Sequence, residues 1–411
     1  MIICCGEVLI DMIRTGLTGR IDSFYSLPGG SPYNTAIAIG RLGVGCAFWG
    51  KISKDFFGEM LTKRLADNGV NDDLVIRSEL NTTLAFVKLE KGKEPQYIFY
   101  TEGSADRSLC IDDLPKKMPS DTRCLSFGSI AMTMEPIATA IETLVLRENA
   151  LQAQGKTAPV ISFDPNIRPF MIKDRKAYIG RMEKWISEST ITKISIEDIN
   201  FIYPGLEPEK ALHKILAMGA RLAIGTLGSK GAVALLRRND GSITRAEAPG
   251  VEIPVVDTIG AGDTFHGAFL AWLELKGKMT RSSVASLTED ELHDALVFAN
   301  KAASIVCSRQ GAEPPTLREA ESHKRKTPDA KKAAASKKPA AKPKSAGTAK
   351  KAAAVKKPAA PAKKAAPKKT AAKAGAAKAR VVNPKIPSAH KKPAPAKKAA
   401  AKKPAAKKAK K

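Results

Sequence analysis

The sequence predicts an α/β protein built on a mostly parallel sheet, and three observations carry that expectation. Short apolar runs alternate with amphipathic stretches over residues 1–322, the pattern of repeated strand–helix units. A body of this length can bury one large α/β core without disulfide help. The charge then breaks sharply. Of 68 Lys and Arg and 41 Asp and Glu, 31 bases and one acid (Asp329) fall after residue 323, leaving 37 bases and 40 acids in the body. A body of net charge −3 thus precedes a tail of +30, whereas the whole chain carries +27.

The elements follow in order. Residues 2–9 read as a buried strand. Ser31-Pro32 starts a helix, with Ser as N-cap and Pro at the first helical position; Ala36, Ile37, Ile39 and Leu42 are spaced toward one face, and Gly43 ends it. Residues 46–52 read as strand and 55–68 as helix, with Gly69 after it. Residues 84–89 and 96–100 form an antiparallel pair around Lys91-Gly92. Strands follow at 160–163, 192–196, 222–226 and 232–236, and residues 251–256 are strand-like. Helices at 261–275 and 289–306 close the body, and Trp49, Trp185 and Trp272 read as core or half-buried anchors.

Several classes drop out. Residues 1–11 have no basic flank, and Glu7 and Asp11 interrupt the apolar run, so no signal peptide is expected there. No stretch approaches the roughly 18–20 uncharged apolar residues of a membrane helix. The six cysteines form no CxxC and no Cys/His cluster, and adjacent Cys4 and Cys5 on a strand point to opposite faces. Buried free thiols in a reducing cytoplasm are the expectation.

The strongest motif is Asp257-Thr258-Ile259-Gly260-Ala261-Gly262-Asp263-Thr264-Phe265, which opens an apolar-striped helix. Gly260 and Gly262 let backbone approach a ligand, and successive N–H groups at a helix start make an anion hole suited to phosphate. Asp263 there is either a helix cap or the base that takes a proton from an attacking hydroxyl. No Walker A loop exists, and no glycine-rich loop follows the first strand as a dinucleotide fold requires. Upstream, Pro28-Gly29-Gly30-Ser31-Pro32-Tyr33-Asn34 precedes the first long helix. Its glycines would let a polyol approach backbone, Asn34 could bond hydroxyls with both ends of its amide, and Asp11 adds an acceptor for paired hydroxyls. Turn glycines and an exposed helix Asn explain the same residues equally well. His266, one turn into the later helix, reads as a packed helix histidine.

Together, Gly29-Gly30-x-x-x-Asn34 and Asp257-Thr258-x-Gly260-Ala261-Gly262-Asp263 resemble the two signatures of the ribokinase-like (PfkB) carbohydrate kinases. Asp164-Pro165-Asn166-x-Arg168, Thr226-Leu227-Gly228-Ser229-Lys230-Gly231 and Asn300-Lys301-Ala302-Ala303 agree with that family. Within it, the runs 6–11 and 164–168 look most like bacterial fructokinases.

The resemblance implies a three-layer sandwich over residues 1–322 with a small β lid from about 10–27 and 80–105. It also implies ATP-dependent phosphorylation of a sugar's primary hydroxyl, D-fructose first, with 2-keto-3-deoxygluconate, ribose or a nucleoside as alternatives. Asp263 would be the base, and the N–H groups of Gly260, Ala261 and Gly262 would hold the charge of the γ-phosphoryl group. Asp11, Gly29, Gly30 and Asn34 would grip the sugar, and Arg168 would lie close to sugar or phosphates. Thr226, Gly228 and Gly231 would border ATP phosphates and ribose, and Asn300 the adenine.

The cation sites follow from the same resemblance. Ser195 and Asp198 stand at the family's Asn-x-x-Glu element near Mg²⁺, with Ser replacing Asn and Asp198 or neighbouring Glu197 supplying the carboxylate. A K⁺ site would use Asp257 and carbonyls of Ile259, Val306, Arg309 and Gly311, with Pro315 where ribokinase has a Ser ligand. Asp257 as a plain cap of nearby N–H groups remains the simpler alternative. A homodimer is compatible with this family.

The Lys/Ala/Pro-rich tail, 323–411, resembles linker-histone C-termini in composition. It has no Phe, Trp, Tyr or Leu and cannot bury enough apolar area to order itself. Disorder is expected, with nonspecific, salt-dependent binding of DNA, RNA or another polyanion. Anionic membranes, or a solubilising role only, satisfy the same charge. A nucleic-acid-binding protein carried on a kinase-like body is the rival reading, which the intact Asp263 argues against.

Overall fold

The computed structural model describes residues 1–18, 21–88 and 96–322. The expected tail at 323–411 and the Lys91-Gly92 turn lie outside them. In chain order the elements are β1 (Ile2–Cys5), β2 (Leu9–Thr18), β3 (Ile21–Gly29), α1 (Ser31–Arg41), β4 (Cys46–Ser53), α2 (Phe56–Asp67), β5 (Val70–Asn71), β6 (Val75–Ser78), β7 (Thr83–Lys88) and β8 (Gln96–Tyr100). There follow β9 (Cys124–Gly128), α3 (Ile137–Ala153), β10 (Val160–Asp164), α4 (Arg175–Ser187), β11 (Ile191–Ser195), α5 (Ile196–Ile202), α6 (Pro208–Met218), β12 (Leu222–Thr226), β13 (Gly231–Arg237) and β14 (Ile243–Pro249). Helices α7 (Ala261–Leu275), α8 (Arg281–Ala285), α9 (Glu289–Cys307) and α10 (Leu317–Ser322) complete the chain described.

The main sheet runs β14-β13-β12-β11-β10-β9-β1-β4-β5, with β6 also on β4. It is parallel from β12 to β5, and β13 and β14 join it antiparallel. Ile2, Cys4 and Phe48 face the helices α1, α2, α7 and α9, while Ile3, Cys5 and Trp49 face α3, α4 and α6. With both faces covered, such strands must be apolar throughout, which is why they are legible as continuous runs. A smaller sheet, β3-β2-β7-β8, occupies the segments expected of the lid; β7 and β8 pair antiparallel from Leu84↔Tyr100 to Lys88↔Gln96.

Two expected strands differ. The run 2–9 is broken: β1 stops at Cys5, and the chain re-enters as β2 in the smaller sheet, so Asp11 lies on that sheet and not at the end of the first core strand. Residues 251–256 form no strand; Val255 and Val256 are exposed and Pro254 cannot donate to a ladder. Cys4, Cys5, Cys46 and Cys124 are buried free thiols, but Cys110 and Cys307 are only partly covered. Among the described residues no helix is long and apolar enough to cross a membrane.

Candidate active site

The carboxyl ends of the parallel strands converge where chain order reverses about β1, the place where open α/β sheets bind ligands. Glu7, just past β1, spans this point. Its Oε1 accepts the Ser31 N–H and its Oε2 the Ala131 N–H, both at 3.1 Å. The side chain is buried, and burial pushes its carboxyl up to about 7 against the pull of these donors. Glu7 therefore ties the start of α1 to the segment after β9.

The N-cap of α7 is Gly260, which adopts a left-handed φ of 74° and packs so closely that a Cβ would lie 2.6 Å from Ala312 Cβ. Only glycine meets both demands. The first N–H groups of a helix have no acceptor within it. That of Ala261 reaches Thr258 O at 3.2 Å, and those of Gly260 and Gly262 have no partner among the described residues.

Asp263, on the first turn, is buried. Its Oδ1 accepts from Ser31 Oγ at 2.6 Å and Asn166 Nδ2 at 3.3 Å, and its Oδ2 accepts from Asn34 Nδ2 at 2.9 Å. Burial raises its pKa; the Ser31 and Asn34 bonds and the Lys193 charge oppose that, and the Asp164 charge adds to it. Ser31 was expected as an N-cap, but the cap of α1 is Gly30, and the Ser31 hydroxyl is spent on Asp263 instead. Asn34 likewise gives its amide N–H to Asp263, so one end of the amide is already taken.

The other predicted residues fall into neighbouring groups. Gly29 ends β3 opposite Leu9, and the Asp11 carboxylate lies against it, with Oδ2 2.3 Å from where a Cβ would stand. Burial pushes Asp11 up to about 7, opposed by Arg168 and reinforced by Asp263. The Arg168 guanidinium is held by Asn166 Oδ1 at 2.7 Å. Asn166 itself has a positive φ of 37°.

Ser195 and Asp198 form a capping box on α5. The Ser195 N–H and Oγ donate to Asp198 Oδ2 at 3.1 and 2.9 Å, while Oδ1 accepts the Ile167 N–H at 2.7 Å. Ser195 is beside Thr226 in the β11–β12 register. Gly228 and Gly231 bound the following turn, and Gly231 pairs with Pro249. Asn300 Nδ2 donates to Ala248 O and Pro249 O at 3.1 and 3.2 Å. A cleft of about 820 Å³ adjoins this turn, lined in part by Leu227, Lys230, Ala248 and Pro249; it does not extend over Asp263.

Asp257 accepts the Ile259 N–H on Oδ1 at 3.0 Å and the Gly311 N–H on Oδ2 at 2.9 Å, drawing the two loops together. Val306 O accepts the Arg309 N–H at 3.0 Å. Each of these oxygens retains a second lone pair, the donor chemistry that a monovalent cation takes, while Gly311 O already accepts the Glu313 N–H at 2.9 Å. Both Asp198 oxygens also carry backbone donors, which suits holding Mg²⁺ through its water shell better than direct ligation. Among the described residues no three His, Cys, Asp or Glu side chains gather as a metal cage.

Sequence reasoning missed Ser31, Asn166 and Glu7 as site residues, and Lys193 altogether. Lys193 Nζ forms a buried ion pair with Asp164 Oδ2 at 2.8 Å. His266 is the packed helix histidine expected: Nε2 shares a 2.7 Å hydrogen bond with Ser162, and burial, then Lys193, lowers its pKa to about 3.

Fold and site together define an α/β carbohydrate kinase. The family model described as "pfkB family carbohydrate kinase" matches residues 1–319. The chain is 38% identical over 299 residues to "Fructokinase" of Rhizobium leguminosarum bv. trifolii, covering 72% of this chain and 86% of that protein. It is 32% identical over 327 residues to "Fructokinase-1" of Zea mays, covering 78% and 96%. The crystal structure of fructokinase with bound ATP from Xylella fastidiosa superposes with a TM-score of 0.68 at 27% identity, over 78% of this chain and 97% of that one. The chain belongs to the PfkB family of carbohydrate kinases.

Proposed function

We propose that the enzyme transfers the γ-phosphoryl group of ATP to the primary hydroxyl of D-fructose, giving fructose 6-phosphate. The observation that carries this reading is the buried Asp263 carboxylate, fixed by Ser31, Asn34 and Asn166 on the same helix turn as the unpartnered Gly260 and Gly262 N–H groups. Asp263 takes the proton of the attacking hydroxyl, and the glycine N–H groups stabilise charge on the transferring group. Asp11, Gly29, Gly30 and Asn34, through its free Oδ1, orient the sugar, with Arg168 beside them. ATP lies beside the turn from Thr226 to Gly231 with its adenine toward Asn300 on α9, and the bound ATP of the Xylella relative supports ATP as the donor. Mg²⁺ would neutralise phosphate charge, with Asp198 holding its water shell, and K⁺ would brace the loops joined by Asp257.

ADP release measured over a panel of sugars and nucleosides tests the reading. Fructose should give the highest kcat/KM, and Asp263→Asn should keep ATP binding while losing at least ~10²-fold in kcat. A preference for 2-keto-3-deoxygluconate, ribose or a nucleoside would displace fructose, and undiminished turnover in the variant would reduce Asp263 to a helix cap.

The tail is a second module of this proposal. A +30 segment without aromatics supports nonspecific polyanion binding. Truncation after Ser322 should abolish DNA retention and leave kcat and KM nearly unchanged; a truncated body that still binds DNA would refute the assignment. The free cysteines support a cytoplasmic setting.

A further inference from the structure

The buried ion pair between Lys193 and Asp164 has no role in the chemistry assigned so far, yet it is placed against the glycine turn. Lys193 is on the buried strand β11, and both side chains of the pair are almost fully buried at 3% and 4% exposure. Among the described residues, and apart from its chain neighbours and the backbone of its own helix, the only heavy atom within 4 Å of the point where a Gly262 Cβ would stand is Lys193 Nζ, at 3.3 Å. No Asp164 atom comes that close, so the pair presents its ammonium end to the turn. The side chain missing from Gly262 is what gives that ammonium its place.

We propose that Lys193 is a positioning residue for phosphoryl transfer: a permanent buried cation that reinforces the anion site from beneath the Gly260–Gly262 turn and keeps Asp263 ionised. The surroundings require such a charge. Asp164, Asp198 and Asp263 are three buried carboxylates within one neighbourhood, and an incoming polyphosphate adds more negative charge. Unbalanced, they would repel the phosphates and favour a protonated base. Lys193 is the ammonium that balances them. Burial by itself would drive it toward the neutral amine, but Asp164 holds its pKa above the ordinary lysine value, so the charge persists throughout the working range of pH. A fixed, buried charge needs no reorganisation as the transition state forms, which places its effect on kcat more than on substrate binding.

This inference rests on the kinase reading above, and the experiment separates the two. Lys193→Met alone would strand a buried Asp164 carboxylate, so the informative variant is Lys193→Met with Asp164→Asn, in which both charges go and volume is kept. The full chain is assayed for thermal unfolding, for ATP and fructose KM, for kcat, and for binding of ADP with aluminium fluoride in the presence of fructose. The double variant should melt close to wild type with KM values within about threefold, yet lose ~10²-fold in kcat and a comparable factor in affinity for the aluminium fluoride complex, the scale of removing one member of an anion hole. Lys193→Arg alone, which keeps both a permanent cation and its Asp164 partner, should retain at least tenfold more kcat than the double variant. A folded double variant with wild-type kcat would overturn the proposal, as would a Lys193→Arg enzyme that falls equally far, since the charge would then not be what matters. A wild-type chain with no sugar-dependent ADP release would instead sink the kinase reading itself.

Discussion

Ser31→Ala removes the shortest hydrogen bond to Asp263, 2.6 Å from Ser31 Oγ to Oδ1. A hydrogen bond to a charged group contributes about 1.5–3 kcal/mol, and about 1.4 kcal/mol corresponds to one pKa unit. The donor favours the ionised carboxylate, so its loss raises the Asp263 pKa by about 1–2 units, the lower figure applying if Asn166, at 3.3 Å from the same oxygen, closes in. Burial and Asp164 already hold that pKa above the ordinary range, and Lys193 opposes them. The base must be ionised to accept a proton, so the acid limb of kcat moves to higher pH by the same 1–2 units. Below both limbs the variant should be slower by ~10- to 10²-fold, and above both it should approach wild type. The measurement is kcat against pH at saturating sugar, which isolates the bound complex from the titration of Asp11 during sugar binding. A limb that stays in place while the rate drops uniformly would show that Ser31 does not set the ionisation of Asp263.

Two further outcomes follow from the other displaced carboxylates. Asp11 is pushed up to about 7, so its acceptor form is lost as pH falls through neutrality, and KM for the sugar should rise below about pH 7; Asp11→Asn should weaken binding and flatten that dependence, and an equally pH-dependent KM in the variant would remove Asp11 from the sugar site. Glu7 is raised from 4.5 to about 7, so its contribution to stability is complete below pH 4.5 and is lost as pH rises to about 7, a change of about 3 kcal/mol by linkage. Urea unfolding at pH 5 and pH 8 should therefore show a pH slope in wild type that Glu7→Gln reduces, and parallel curves would contradict the burial argument.

The sequence located this site through its backbone signals and missed it where side chains meet over long distances. β12 and α7 begin and end where expected, because an apolar run bounded by charge and glycine leaves little choice of limits. The run 2–9 was misleading because hydrophobicity does not say which sheet a strand joins: the chain changes sheets around Gly6-Glu7, and Val8 and Leu9 beyond it are as apolar as β1. Residues 251–256 carry strand-forming valines, but a strand also needs a partner edge. Local capping logic made Ser31 an N-cap, yet Gly30 takes that place and the Ser31 hydroxyl meets a carboxylate 232 positions away. Lys193 carried one available signal: a lone charge amid the apolar residues of a strand that both core faces bury.

The assembly of Asp263 with Ser31 and Asn34 has a temporal consequence. α1 is made early and α7 late, and Gly267 lets the two helices approach until a Cβ would stand 2.9 Å from Thr35 O and Ala38 Cβ. Throughout most of synthesis, therefore, the face of α1 that α7 covers has no permanent neighbour, and its polar pair has no carboxylate to hold. A ribosome-bound chain that has not yet delivered residue 275 is a scaffold without a base, however much of the sheet has formed. Catalytic competence arrives in one late step, when the last third of the body closes against the first.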